Sequence, residues 1–370
     1  VRVKDASRVA HIVGDLLNLE RKIEFDRKIK KEQENHRKAF EGKSKNDLVT
    51  YKEAYKSKLK LDWKNEAIAI PSFIGLKQIV DYSLDEIRKY IDWTFFFSAW
   101  EIRGSFPKIL NDPIRGKVAR ELFENAKLLL DEIIEKKLLQ ANIAYGFWPA
   151  NSVKDDIVLY KTEERTDELV QFNMLRQKKI KNGITLSLSD FIAPKNSEVD
   201  DYIGAFAVTA GINAKKLSET YEKENDDYNA IMVKAIADRL AEALAELMHQ
   251  RVRKEWGFPD KSNTTNEDLI KEKYRGIRPA FGYPACPDHS DKRSLFALLN
   301  AKSHGFHLTE SCATHPASSV SGLYFGHPDA KYFGINRIDE GQVMDLAQRK
   351  RMPRREVEYW LASIIDYDPN

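Results

Sequence analysis

The residues best suited to chemistry form the run Arg278-Pro-Ala-Phe-Gly-Tyr-Pro-Ala-Cys-Pro-Asp288. Its prolines fix φ and Gly282 permits positive φ or close approach, so the loop should hold its shape before any ligand arrives. It offers backbone amides and carbonyls, an arginine fork suited to a carboxylate and an aromatic ring suited to a cation. Those are the needs of a zwitterionic amino acid bearing a sulfonium. The same residues also suit a surface crossing in which Arg278 makes an internal salt bridge, and the loop alone does not choose between these readings.

A second run, Tyr90-Ile-Asp-Trp-Thr-Phe-Phe-Phe-Ser-Ala-Trp-Glu101, places one carboxylate, Asp92, among aromatics. It reads either as a helix cap beside core side chains or as the anion for a ligand ammonium. A third, Leu308 to Pro328, holds two His-Pro pairs without helical metal-ligand spacing and reads as structural turns. Cys312 has no catalytic arrangement with His315 that spacing supports, so a buried thiol is expected. The chain has no Gly-x-Gly-x-x-Gly turn, Walker lysine loop or His-Glu-x-x-His helix, which sets aside the usual dinucleotide, P-loop and zincin classes.

The whole chain balances 60 Lys and Arg against 57 Asp and Glu, which gives no electrostatic case for a polyanion partner. The basic bias is local: residues 1 to 60 hold 17 basic against 10 acidic side chains. Acidic residues interrupt that stretch throughout, so a solvated helix face is expected there rather than a nucleic-acid surface. The 2 cysteines lack paired spacing, and no run of eighteen apolar residues or signal peptide is visible, so a cytoplasmic protein without a membrane partner is expected. Val1 in place of an initiating Met reads as a fragment of something longer.

To position these residues the chain needs a folded body, and 42% hydrophobic content supplies one. Val1 to Leu17 reads as a strand entering a helix, and about 18 to 60 as a solvated helix and connector. Three-to-four spacing predicts helices over Tyr82 to Tyr90, Val118 to Lys137 and roughly Asp227 to Arg253. In the last of these, Val233, Ile236, Leu240, Leu244 and Leu247 share one face, and Asp238, Glu242, Glu246 and His249 the other. Asp156 to Tyr160 and Ile203 to Thr209 read as buried strands. Gly322 to Phe325 and Tyr332 to Ile335 predict a hairpin across Gly326 to Asp329. Two closing helices follow, the second opened by Pro353 at a first-turn position.

Tyr90-Ile-Asp-Trp-Thr94, Gly146-Phe-Trp-Pro-Ala150, Asp190-Phe-Ile-Ala-Pro194, Asp201-Tyr-Ile-Gly-Ala-Phe-Ala-Val-Thr209, Gly276-Ile-Arg-Pro-Ala280, Gly282-Tyr-Pro-Ala-Cys-Pro-Asp-His289 and Ser321-Gly-Leu-Tyr-Phe325 occur in one order. Together they resemble the activation domain of cobalamin-dependent methionine synthases, from about Tyr82 to Asp368. The resemblance implies an α/β (α+β) domain with a twisted antiparallel sheet flanked by helices and an N-terminal helical linker. It implies a division into residues 1–20, the end of a cobalamin-binding domain carrying Asp5-Ala-Ser-Arg-Val9, then a basic helical linker over 21–65, then the S-adenosylmethionine-binding domain over 66–370.

By the same resemblance, Asp92 holds the ligand's amino group, Arg278 its carboxylate, and the backbone at Pro279, Ala280 and Gly282 the adenine and ribose portion. Tyr283, Tyr332 and Phe333 line the sulfonium and base, Glu242 stands near the site, and Asp238 faces the cobalamin domain. The implied role is to supply a methyl group for reductive methylation of cob(II)alamin, with electrons from flavodoxin or a methionine synthase reductase. The cobalamin is carried by the preceding domain, whose Asp-x-His-x-x-Gly motif this chain lacks, so the fragment alone is not expected to complete methionine synthesis. An alternative is a non-catalytic module that docks the cobalamin domain or a reductase without binding S-adenosylmethionine. Phe95 and Phe281 stand where the family commonly has proline, and Thr314 and His315 where it has Met and an aromatic residue.

Overall fold

The computed structural model describes residues 19–44 and 48–369. The strand and helix expected over Val1 to Leu17 lie outside the described residues. The first element, α1 (Leu19–Ser44), is a helix whose described side chains between residues 21 and 34 are mostly exposed. The connector then meets the body. Thr50 and Glu53 form a reciprocal capping box at the start of α2 (Tyr51–Lys56). Ala54 is buried, Val49 N–H donates to the Lys178 carbonyl at 3.0 Å, and the Tyr51 hydroxyl donates to Asp155 at 3.0 Å.

The body opens with β1 (Gly75–Ile79), the short helices α3 (Leu84–Ile87) and α4 (Trp93–Ala99), and the long α5 (Gly116–Glu135). Strands β2 (Gln140–Val153), β3 (Asp156–Tyr160), β4 (Glu168–Asn173) and β5 (Asp201–Ile212) follow, then α6 (Ala214–Lys223), α7 (Asp227–Glu255), α8 (Asn266–Ile270) and α9 (Lys292–Leu298). The chain closes with the two-residue strands β6 (His307–Leu308) and β7 (Thr314–His315), then β8 (Ser319–Tyr324), α10 (Glu340–Lys350) and α11 (Arg354–Trp360). Pro353 is the N-cap of α11, one position ahead of the first-turn site expected for it.

The main sheet is antiparallel, ordered β4-β3-β2-β5-β8, with β1 also on β2. On one edge β2 meets β1 through residues 143–147 and β3 through residues 150–153. Positions 148 and 149 fall between those two partners, which is where Pro149, lacking an N–H, does least harm to a central strand. Both faces are covered. Tyr145, Phe147, Phe206 and Val208 face a core shared with α5 and α7, while Ala144, Trp148, Ala205 and Ala207 face one shared with Phe281, Leu295 and Phe296. Two covered faces account for the unbroken apolar runs of β2, β3 and β5, and each large side chain fully buried here contributes about 1.5–3 kcal/mol before entropy is counted.

Ion pairs fasten the long connections. Arg176 is fully buried, with Nη2 2.6 Å from both Asp155 and Asp190, which ties the segment after β4 to the one ahead of β5. Lys350 at the end of α10 reaches Asp288 at 2.5 Å and Asp291 at 2.7 Å, anchoring the far end of the 278–288 loop.

The expected hairpin across Gly326 to Asp329 does not form. Residues 332–335 are not a strand, because Phe325 instead exchanges backbone hydrogen bonds with Ile277, of 2.9 and 3.1 Å. The 278–288 loop thus takes the position beside β8 that a returning strand would need.

Candidate functional site

α4 is held by Phe96 and Phe97, both buried in the core. Asp92 is its N-cap, accepting from Thr94 N–H at 2.9 Å, and the same side chain lines a cleft. The cap reading of Asp92 is thus observed, and the cleft position leaves the carboxylate open to a second partner. Phe95 projects from the first turn, 61% exposed, with the Arg239 guanidinium 5.8 Å from its ring centroid.

α7 supplies the opposite wall. Arg239, Glu242, Ala243 and Glu246 recur at three- and four-residue intervals and therefore form one stripe along the cleft. Periodicity put Asp238, Glu242, Glu246 and His249 together on the face opposite the apolar one. Glu242 and Asp238 are exposed, and Asp238 accepts from the Ser318 hydroxyl at 2.5 Å. Glu246 and His249, however, are buried at 9% and 2% exposure, because the segment from α8 to Arg278 lies over that end of the helix.

The 278–288 loop supplies the third wall and is tightly self-bonded. Cys286 Sγ and Tyr283 N–H both donate to the Ala280 carbonyl, at 3.0 and 3.2 Å, and Gly282 N–H donates to Cys286 O at 2.8 Å. From outside, the Pro279 carbonyl accepts from Leu323 N–H at 3.0 Å and the Pro284 carbonyl from Ile335 N–H at 2.6 Å. Phe281 is 1% exposed and packs 5.4 Å from Phe172 in the core, so its ring anchors the loop rather than entering the cleft. Gly282 is not on the cleft wall. At φ +92° it makes room for the His289 ring, which would lie 2.1 Å from a Cβ there.

The cleft has two arms that share Glu242, Glu272 and Arg278. One, of about 410 Å³, runs past Tyr90, Asp92 and Phe95 to Leu269 and Ile270. The other, of about 450 Å³, runs along Pro279, Ala280 and Tyr283 to Val320, Tyr332 and Phe333. Of the residues expected at the site, the structure brings together Asp92, Glu242, Arg278, Pro279, Ala280, Tyr283, Tyr332 and Phe333. Sequence reasoning did not single out Tyr90, Arg239, Glu246 and Glu272. Glu246 was visible only as part of the polar face of α7, and Glu272 lies in a polar loop with no pattern.

Arg278 is the junction. Its N–H donates to the Tyr332 hydroxyl at 3.0 Å, and its Nη2 donates to Glu246 Oε2 at 3.0 Å. Burial works against its charge, but Glu246, with Tyr274, Tyr332 and Glu242, outweighs this and lifts its pKa above the ordinary value. Burial likewise raises the Glu272 carboxyl, against the pull of Arg278. Burial also pushes up the Cys286 thiol, away from nucleophilic chemistry. Among the described residues lining the two arms there is no His, Cys, Ser, Thr or Lys. Carboxylates, one guanidinium and aromatic rings on one cleft suit a dipolar, partly aromatic molecule.

The fold and cleft thus define an α/β domain built for ligand recognition between a long helix and a preformed loop. Residues 83–351 match the family described as vitamin B12 dependent methionine synthase, activation domain. The structure is similar to the crystal structure of the MetH reactivation domain bound to AdoHcy, with 45% sequence identity, a TM-score of 0.85, and coverage of 87% of this chain and 100% of that one. The chain belongs to the family of activation domains of vitamin B12-dependent methionine synthases, and so to a methyltransferase. Its antiparallel sheet flanked by helices is the architecture that the resemblance implied. Among the described residues no helix is long and apolar enough to cross a membrane.

Proposed function

We propose that the cleft binds S-adenosylmethionine and presents its methyl group to a cobalamin carried by a neighbouring domain. One observation carries this reading: Asp92 and Arg278, of opposite charge, line a single arm of the cleft, and the aromatic arm begins at Arg278. Arg278 is suited to the ligand carboxylate and Asp92 to its ammonium, with charge-assisted bonds at both ends of the amino-acid tail. Pro279 and Ala280 offer backbone groups to the nucleoside, and Tyr283, Tyr332 and Phe333 offer ring faces to the base and sulfonium. The bound AdoHcy of the similar crystal structure supports the ligand class.

When bound, the ligand supplies an activated methyl group. The chain's own contribution is orientation and proximity, which calls for binding groups and no general base. We infer that residues 1–20 belong to the preceding cobalamin domain, 21–65 to a linker and 66–370 to this domain. We infer also that a flavodoxin or methionine synthase reductase supplies the electron, and that these residues alone do not complete methionine synthesis. The free, buried Cys286 and Cys312 fit a reducing, cytoplasmic compartment.

Calorimetry with S-adenosylmethionine and S-adenosylhomocysteine tests the reading. Saturable heat from both, lost in Arg278→Ala, supports it. A folded wild-type chain that takes up neither would leave a docking module without a ligand.

A further inference from the structure

We propose that Glu246 is the positioning residue that presets the Arg278 guanidinium for a ligand carboxylate; this rests on the reading of the cleft given above. A long arginine on a loop loses side-chain entropy when it captures an anion, so a guanidinium already held in place binds more tightly. Glu246 is well placed to hold it. It projects from the buried stretch of α7, its side chain is 11% exposed against 18% for Arg278, and a single hydrogen bond of 3.0 Å joins Nη2 to Oε2.

The pair is not closed on itself. Glu246 Oε1 and Arg278 Nε are both buried with no hydrogen-bond partner, so the contact is one-point rather than a two-bond fork. A fork would commit two donors of the guanidinium to the protein, whereas one bond fixes its direction and leaves donor capacity for a second anion. The residues around the pair do not compete for the guanidinium. The hydroxyls of Tyr274 and Tyr324 and Nδ1 of His249 are likewise buried without partners, and their rings pack together, His249 lying 4.9 Å from Tyr274 and 5.2 Å from Tyr324.

The arrangement separates position from charge. The Glu246 carboxylate orients Arg278 but also repels an incoming carboxylate, as do Glu242 and Glu272 on the same cleft. An uncharged acceptor of the same shape should keep the first effect and relieve the second.

Calorimetry on the full chain separates these effects with Glu246→Gln and Glu246→Leu, using S-adenosylhomocysteine and its decarboxylated counterpart as paired probes. Glu246→Leu is expected to weaken S-adenosylhomocysteine about tenfold while leaving the decarboxylated compound within about twofold. Glu246→Gln should bind S-adenosylhomocysteine at least as well as wild type. The proposal is overturned if Glu246→Leu weakens both probes alike, or neither, or if Glu246→Gln is as weak as Glu246→Leu. A ligand-free arm follows the Arg278 Nη2–H resonance, the donor that bonds Glu246, assigned by its loss in Arg278→Lys. Its exchange with water should quicken about tenfold in Glu246→Leu and stay slow in Glu246→Gln, and equal exchange in all three proteins would reject the positioning role. If the wild type bound neither probe, the ligand assignment would fail and the exchange arm would still decide whether Glu246 holds Arg278.

Discussion

Gly322 on β8 and Pro279 at the start of the 278–288 loop are in direct backbone contact: a Cβ on Gly322 would lie 2.3 Å from the Pro279 carbonyl oxygen. That same oxygen accepts from Leu323 N–H at 3.0 Å, so neither partner can move without breaking the seam. Gly322→Ala should therefore destabilise the domain by roughly 1–3 kcal/mol, as overpacking does, and weaken S-adenosylhomocysteine by displacing Ala280. Thermal unfolding and calorimetry on the same sample check both effects. An unchanged melting temperature would show that the seam yields more easily than its geometry implies.

Removing Arg278 should lower affinity about 10- to 100-fold, the value of one or two charge-assisted hydrogen bonds. Arg278→Lys should recover little, because an ammonium is a point charge that cannot reach Glu246 and a ligand carboxylate with one planar fork. Titration of S-adenosylhomocysteine into the two variants provides the measurement. Equal binding by Arg278→Lys and wild type would count against fork recognition.

Asp92 has two duties that substitution can separate. Asn keeps an acceptor for Thr94 N–H but removes the charge, whereas Ala removes both. Asp92→Asn should lose roughly tenfold in affinity with its melting temperature nearly unchanged. Asp92→Ala should lose that affinity and about 1 kcal/mol of stability as well. Calorimetry alongside urea unfolding distinguishes them, and matching stabilities would mean that the cap contributes little.

His249 carries a pH dependence. Burial, reinforced by Arg253 and Arg278, holds its pKa well below the usual 6.5. Above 6.5 the ring is neutral in both folded and unfolded chains and adds no slope. As pH falls through 6.5, the unfolded chain takes up a proton that the folded chain refuses, so stability drops by up to about 1.4 kcal/mol per pH unit. Asp201 and Asp291, pushed up to about 6 by burial, act with the opposite sign between their ordinary 3.8 and 6, where the folded chain keeps protons that the unfolded chain releases. His249→Phe keeps a ring against Tyr324 and removes the titration, so the difference between the two urea-unfolding profiles from pH 7.5 to 5 isolates the histidine. Parallel profiles would refute the assignment.

The sequence made some parts of this plain and hid others for physical reasons. β3 spans Asp156–Tyr160, the apolar run expected of a strand, because burial on both faces leaves no polar alternation to confuse the reading. β2 was visible only as the motif around Gly146 and Pro149, since proline argues against a central strand, and the gap between β1 and β3 that tolerates it is a tertiary feature. Periodicity put Glu246 on the polar face of α7 correctly but could not reveal that the segment ending at Arg278 covers it. Tyr332 and Phe333 were expected at the site and do line the cleft, yet the hairpin expected to carry them is absent, because Ile277 occupies the edge beside Phe325.

The walls of the cleft come from parts of the chain as far apart as Asp92, Glu246, Arg278 and Tyr332. A guest that touches them all closes long stretches of polypeptide between its contacts, and the unfolded chain offers it nothing comparable. Occupancy should therefore act as a removable crosslink, shifting the melting transition upward with guest concentration as mass action requires. At a fixed guest concentration the size of that shift reports the affinity, and its loss on removing one wall reports what that wall contributes.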